Sequence, residues 1–357
     1  MIPWWQPSMT GEEQEAVAAV LASGYLNEGK VVAQFERAVA DLYGMAHGVA
    51  TTSGTMALYL AYKALGVGPG TEVVVPALTM IATANAARMA GADVVLGDVE
   101  SAGLTLEPES CQIGTSHLPL SPRTRAVAPV HVSGRLADIG GLLSQLTRAA
   151  SPAHVIEDAA ETVPQVLPGP RGEALCLSFS PHKIITTGQG GMVLTNFDAL
   201  AQELRALKNQ GRGTVQPANE VERFPAWGFN GRMTDVQAAI GLAQLTDLPR
   251  RLERLARNRE LYAERLPVLP TRANEATLWV DCRVKDRDGT MAALAGAGFG
   301  SRPFWCPLAE QEPYKAARGT CLTAMVQHKN VLWLPSTFAM ADADVIRARD
   351  VVEGASR

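Results

Sequence analysis

A chain of 357 residues that is 47% hydrophobic and 19% charged is too apolar to remain disordered and long enough for about two domains. Its 32 basic and 36 acidic side chains leave a net charge of −4, which argues against a nucleic-acid backbone as ligand. The charge-free central stretch from Val73 to Ala87 is broken by Pro76, Thr79, Thr83 and Asn85, so no membrane span is expected.

The opening Met1-Ile2-Pro3-Trp4-Trp5 has neither a basic leader nor an apolar run, which predicts no secretory signal and, with the cysteine pattern, a cytoplasmic protein. Thr10-Gly11-Glu12-Glu13 opens a helix whose apolar residues Val17, Val20 and Leu21 recur at helical spacing. A second helix is expected from about Lys30 to Tyr43, stopped by Gly44. Val49 to Thr52 reads as a short strand and Gly54 to Leu65 as a helix, ended by the turn Gly66-Val67-Gly68-Pro69-Gly70.

Glu72-Val73-Val74-Val75-Pro76 is a β-branched run suited to a strand covered on both faces. An alanine-rich helix from about Ile81 to Ala90 follows. Further buried strands are expected at Asp93–Leu96, Ala126–Val130, Val155–Glu157, Leu175–Phe179 and Met192–Thr195. Strands alternating with helices predict βαβ crossovers and a mostly parallel sheet, hence an α/β fold.

Beyond about Asp235 the pattern changes. Asp235 to Leu266 reads as one or two long helices, with Arg250, Arg251, Arg254, Arg257 and Arg259 assigned to a solvated face. Strands at Thr277–Val284 and Asn330–Leu334 and helices at Gly289–Ala297 and Ala341–Glu353 predict a smaller α+β unit. The expected division is a large domain over 1–240, with an N-terminal arm, and a small one over 241–357. Cys111, Cys176, Cys282, Cys306 and Cys321 are odd in number and form no CxxC pair, as expected of small buried residues in a reducing compartment. The six histidines contain no HxxxH pair, and no metal is expected.

Three features point to chemistry. Lys183, one of seven lysines against twenty-five arginines, follows a buried strand in Ser178-Phe179-Ser180-Pro181-His182-Lys183, where an amine can form a Schiff base with a carbonyl. The bland alternative is a surface lysine. Ile156-Glu157-Asp158-Ala159-Ala160-Glu161 places acids at a strand's carboxyl end, where open α/β sheets bind ligands; the competing reading of Asp158 is a helix cap. Thr52-Ser53-Gly54-Thr55 turns from strand to helix, offering N–H groups and a positive dipole to a phosphate. Phosphate-type helix start, acidic strand end and a lysine twenty-five residues after Asp158 are the groups a pyridoxal 5′-phosphate site needs.

The ordered blocks SGTMAL (53–58), VPALTMIATANA (75–86), GADVVLGDVE (91–100), PVHVSGRLADI (129–139), IEDAAE (156–161), SFSPHK and TTGQGGMVLTN (178–196) and GFNGRMTDVQAAIGLAQL (228–245) resemble the DegT/DnrJ/EryC1/StrS aminotransferases. These are fold-type-I pyridoxal-phosphate enzymes that aminate nucleotide-linked keto-sugars. The resemblance covers nearly the whole chain. It implies that Lys183 carries the cofactor, that Asp158 pairs with the pyridine nitrogen, and that Ser178, Gly54 and Thr55 bind the phosphate. It also implies that Asn230 reaches the phosphate of the neighbouring subunit's cofactor, which makes the enzyme a homodimer with shared sites. Met80 stands where many members carry a ring-stacking aromatic residue, Gln189 replaces a usual glutamate, and the Leu167–Gly172 loop is short.

Glu161, at a position often histidine or glutamine, and the opening IPWWQPSMTGEE resemble the perosamine-synthase branch. The implied substrates are a GDP-linked 4-keto-6-deoxymannose and an amino-acid donor, with glutamate suggested. Other possibilities are an aminotransferase for a cyclitol ketone or nine-carbon sugar precursor, and a silent regulator, which would not need Lys183, Asp158 and Ser178 together. A lysine at 183 speaks against the family's dehydratases, and the absence of a helix-opening GxGxxG against a nicotinamide enzyme.

Overall fold

The computed structural model describes residues 1–108, 120–212, 221, 223–272, 275–319 and 321–355. Cys111 lies outside them. In chain order the helices are α1 (Glu12–Ser23), α2 (Lys30–Tyr43), α3 (Gly54–Ala64), α4 (Ala82–Ala90), α5 (Ile139–Arg148), α6 (Asp198–Lys208), α7 (Asp235–Thr246), α8 (Leu248–Ala263), α9 (Arg287–Gly296), α10 (Leu322–Gln327) and α11 (Asp342–Ala355). The strands are β1 (His47–Thr51), β2 (Glu72–Pro76), β3 (Asp93–Gly97), β4 (Thr124–Val127), β5 (His154–Asp158), β6 (Ala174–Ser178), β7 (Gly191–Thr195), β8 (Val280–Arg283), β9 (Arg302–Pro303), β10 (Arg318–Gly319) and β11 (Val331–Leu334).

Eight strands form one sheet in the order β1-β7-β6-β5-β4-β2-β3-β10. From β6 to β10 neighbouring strands run parallel; β7 is antiparallel to both β6 and β1. All five residues of β2 and of β7 are buried, as helices on both faces require. Parallel neighbours place the ends of β4, β5 and β6 on one edge, and the site is built there.

A second, antiparallel sheet, β8-β11-β9, carries its own apolar cluster with Leu261, Tyr262, Phe299 and Val345. Two features tie the C-terminal part to the large sheet. β10 pairs with β3, and Phe304, Trp333 and Phe338 belong to the same apolar cluster as the large sheet's Val73, Leu175 and Val193. Helix α7 runs unbroken through positions 240 and 241.

Three expectations need correction. Arg251 is not on a solvated face: its guanidinium is 1% exposed, held by Asp247, Gln244 and the carbonyls of Ile184 and Ser8. Charge along a helix says nothing about which turn meets another segment, and here the N-terminal segment lies over it. Leu21, expected on the buried stripe of α1, is exposed; the buried residues of this helix, which packs against α7, are Glu13 and Val20. Cys306 and Cys321 are only half-buried, unlike Cys176 and Cys282. Helices α5 and α6 were not anticipated: α5 begins Ile139-Gly140-Gly141, and Asp138 caps it by accepting the Gly141 N–H (2.9 Å), a tertiary-looking loop in sequence. No helix among the described residues is long and apolar enough to cross a membrane.

Candidate active site

β5 ends on Glu157 and Asp158, and strand alternation sends them to opposite faces. Glu157, fully buried, is spent on structure: it meets His131 Nε2 (2.9 Å), Arg171 Nη1 (2.9 Å) and the Gly172 N–H (2.6 Å), which also pins the short Leu167–Gly172 loop. Asp158 faces the cleft. Its Oδ2 accepts the Thr83 hydroxyl (2.7 Å) and its Oδ1 the Ala160 N–H (3.1 Å). No helix follows β5, so the helix-cap reading of Asp158 fails. Burial raises its pKa against the lowering pull of the Thr83 and Ala160 hydrogen bonds, Lys183 and His131. A cation facing Asp158 would favour its ionised form.

Ser178 closes β6, and α3 begins beside it. Ser53 caps that helix by accepting the Met56 N–H (3.1 Å). A Cβ at Gly54 would stand 2.8 Å from the Ser178 Cβ, so only glycine lets the helix N-terminus close on that serine. The result is a cradle of a hydroxyl and a helix N-terminus, which suits a phosphate.

Lys183 lies on the loop leaving β6, with its side chain 12% exposed. Its Nζ stands 3.5 Å from Glu161 Oε1 and 5.0 Å over the Trp279 ring. Glu161 is buried and accepts the Ser133 N–H at Oε2 (2.9 Å). Burial pushes its pKa up to about 7, opposed by the Lys183 charge and the Ser133 hydrogen bond. Ser133 has φ 51, a left-handed conformation that turns its N–H onto this carboxyl.

Gly54, Thr55, Met80, Asp158, Glu161, Ser178 and Lys183 line one cavity of about 390 Å³, together with Gln189, His182 and Trp305. Met80 is half exposed at its rim. Asn230 does not line it. It lies on an exposed segment, bridged to Asn209, with Oδ1 accepting Arg232 Nε (3.4 Å). Sequence reasoning missed Thr83, Ser133, Trp279 and Trp305 as site residues. Thr83 sits inside a recognised block, but Trp279 is brought to Lys183 only by the fold and has no local signal.

The profile of the DegT/DnrJ/EryC1/StrS aminotransferase family matches residues 7–353. The chain belongs to that family. Among curated relatives of this aminotransferase, a GDP-perosamine synthase of Caulobacter vibrioides is 35% identical over 361 residues, 96% of this chain and 94% of that protein. A GDP-perosamine synthase of Vibrio cholerae is 31% identical over 324 residues, 86% of this chain and 85% of the other. The solved structure of DesI with its TDP-sugar product superposes with a TM-score of 0.86 at 28% identity, covering all of this chain (100%) and 93% of that one.

The residues present fit pyridoxal phosphate. A partly shielded amine, a buried carboxyl whose pKa burial raises, and a cradle that a Cβ at position 54 would fill are the complements of its aldehyde, ring nitrogen and phosphate.

Proposed function

We propose that this aminotransferase moves an amino group from an amino acid, glutamate being the donor we favour, to a nucleotide-linked keto-deoxysugar, GDP-4-keto-6-deoxymannose. Pyridoxal 5′-phosphate is the cofactor; when bound, it supplies a carbonyl that condenses with amines and a cationic ring that accepts an electron pair. The observation that carries the reading is the convergence of Lys183, Asp158 and the Gly54–Ser178 cradle in one cavity.

In this reading the Lys183 amine would hold the cofactor and, once released, would move the proton between the substrate carbon that bears nitrogen and the cofactor's C4′ carbon. Asp158, kept in place by Thr83, pairs with the ring nitrogen in its protonated form. Gly54 and Thr55, at the start of α3, and Ser178 would hold the phosphate, and Glu161 and Met80, which line the same cavity, would contact the ring, Met80 through a thioether able to pack against a π face. The cavity's open side, bounded by Met80, His182 and Trp305, receives the sugar.

Asn230 acts on the partner subunit's cofactor phosphate in a two-fold homodimer. Its exposure, and that of Trp227 at 92%, supports an interface here. Mixing Lys183→Ala with Asn230→Ala chains should recover activity, since a mixed dimer rebuilds one complete site. Exchange of subunits without recovery refutes the shared site. We place the enzyme in the cytoplasm, where nucleotide sugars and reduced cysteines belong.

The deciding experiment supplies the purified enzyme with pyridoxal phosphate, glutamate and a panel of GDP- and TDP-linked keto-sugars. Product mass is read for a keto oxygen exchanged for an amine. Conversion of the GDP-linked 4-keto sugar supports the reading; conversion of a TDP sugar alone moves the substrate; no conversion of any keto-sugar rejects it.

A further inference from the structure

We infer that the N-terminal segment Trp4–Ser8 and Arg251 together form a strap that fixes the position of Lys183, so that Trp5 and Arg251 are positioning residues for its amine. The inference rests on Lys183 being the residue that captures pyridoxal phosphate.

The loop that carries Lys183 has few bonds of its own near the lysine: the Lys183 N–H is donated to Ser180 O (3.0 Å), and the next main-chain tie is Thr187 N–H to Phe179 O (3.0 Å). The carbonyls on either side are taken by side chains from elsewhere. The Trp5 indole donates to Pro181 O (3.1 Å), and Arg251 Nη1 donates to Ile184 O (2.8 Å). Between them the His182 ring stacks on Trp4 (centroids 5.7 Å apart, planes at 16°). Every neighbour of Lys183 from 181 to 184 is therefore held by the strap or by α8.

The holders are also joined to one another. Arg251 Nη2 donates to Ser8 O (2.9 Å) and its Nε to Asp247 Oδ2 (2.9 Å). Gln244 accepts from Arg251 and donates to Ser8 O (3.0 Å). The Phe338 ring lies 5.4 Å from the Arg251 guanidinium and meets the edge of Trp5 at 5.0 Å. The segment itself is anchored by Ser336 N–H to Trp4 O (3.0 Å) and Thr337 Oγ1 to Gln6 O (3.2 Å).

Burying a guanidinium is expensive, and an apolar side chain would fill the same space at lower cost. What an apolar residue could not do is grip two main-chain carbonyls from separate segments at once, one of them next to the reactive lysine. Positioning explains that expense; core packing does not.

The test uses the cofactor-free chain and two ligands that differ only in needing the lysine. Pyridoxal phosphate must be captured by Lys183, whereas pyridoxamine phosphate uses the phosphate cradle and ring contacts alone. In Trp5→Phe, which keeps an aromatic ring but loses the indole N–H, capture of pyridoxal phosphate, followed by its visible band, is expected to slow about tenfold, the worth of one buried hydrogen bond, and in Arg251→Met, which loses four partners, by at least as much. Pyridoxamine phosphate affinity, measured by calorimetry, is expected to stay within about twofold. Equal loss for both ligands means that the residues shape the whole pocket and overturns the strap, as does unchanged capture of pyridoxal phosphate. Trp5→Phe carries the test alone if Arg251→Met does not fold. Failure of the unaltered chain to capture pyridoxal phosphate would instead overturn the assignment of Lys183.

Discussion

Two regions meet at Lys183 and are built on opposite principles. On the sheet side, the ends of β5 and β6 present polar groups one by one, each set by a directional bond: Thr83 on Asp158, the Ser133 N–H on Glu161, the Ser53 cap on α3. On the other side stands an aromatic stack in which Trp279 packs against Trp4 (5.3 Å) and Trp333 (5.1 Å) by ring contact, with the Trp333 indole N–H making a directional bond to the sheet side, to Ser133 Oγ (3.3 Å). The polar side depends on which atom stands where. The aromatic side depends on volume and ring faces, so it should tolerate a change of ring that the polar side would not tolerate in a single atom.

Substitutions can break that contrast. Lys183→Ala should lower turnover by more than about 10³-fold, because nucleophile and proton carrier leave together. Borohydride should fix pyridoxyl mass on the Lys183 peptide of the unaltered enzyme; mass on Lys63 or Lys208 would refute its role. Asp158→Asn should cost about 100-fold in kcat/KM while the unfolding temperature of the cofactor-free chain barely falls. A loss of only about twofold, under roughly 1 kcal/mol, would leave Asp158 a structural residue.

Glu161→Gln sharpens the polar side through pH. The folded-state pKa is raised from 4.5 to about 7, so the group's contribution to stability is complete below pH 4.5 and is lost as pH rises through 7. The cofactor-free chain should lose roughly 2 kcal/mol over that window, and the glutamine variant should lack this loss. Urea midpoints at pH 5 and pH 8 decide it, and an identical pH dependence in both proteins would mean that Glu161 is not held in a desolvated site. The smallest effect is expected from Trp279→Phe, about two- to threefold in kcat, since a ring face remains under the Lys183 amine. A loss as large as that of Asp158→Asn would erase the contrast between the two sides.

Much of this is legible in the sequence. The run Glu72–Pro76 is apolar and β-branched for a strand covered twice, and β2 occupies the same residues. The span of α2, Lys30–Tyr43, and its stop at Gly44 follow from helical periodicity and a left-handed cap. Asp158 and Lys183 could be paired in sequence because parallel strands bring their carboxyl ends to one edge, whereas Ser178 was implied by the family resemblance. The antiparallel entry of β7 could not be read, since a buried strand has the same composition in either direction. Helix α6 lies outside the recognised blocks, but its amphipathic run over Asp198–Lys208 carries the helical periodicity that marks such an element.

By itself, then, the sequence determined what is local or periodic: most of the strands and helices, the glycine that opens α3, the acid at a strand end and the lysine after the next one. The tertiary structure decided what depends on meeting at a distance. It turned Glu157 inward and Asp158 outward, set Trp279 under Lys183, buried Arg251 against Ile184 and Ser8, and left Asn230 outside the cavity. The physical reason is that desolvation, and with it the raised pKa of Glu161, is a property of everything packed around a group and not of its neighbours along the chain.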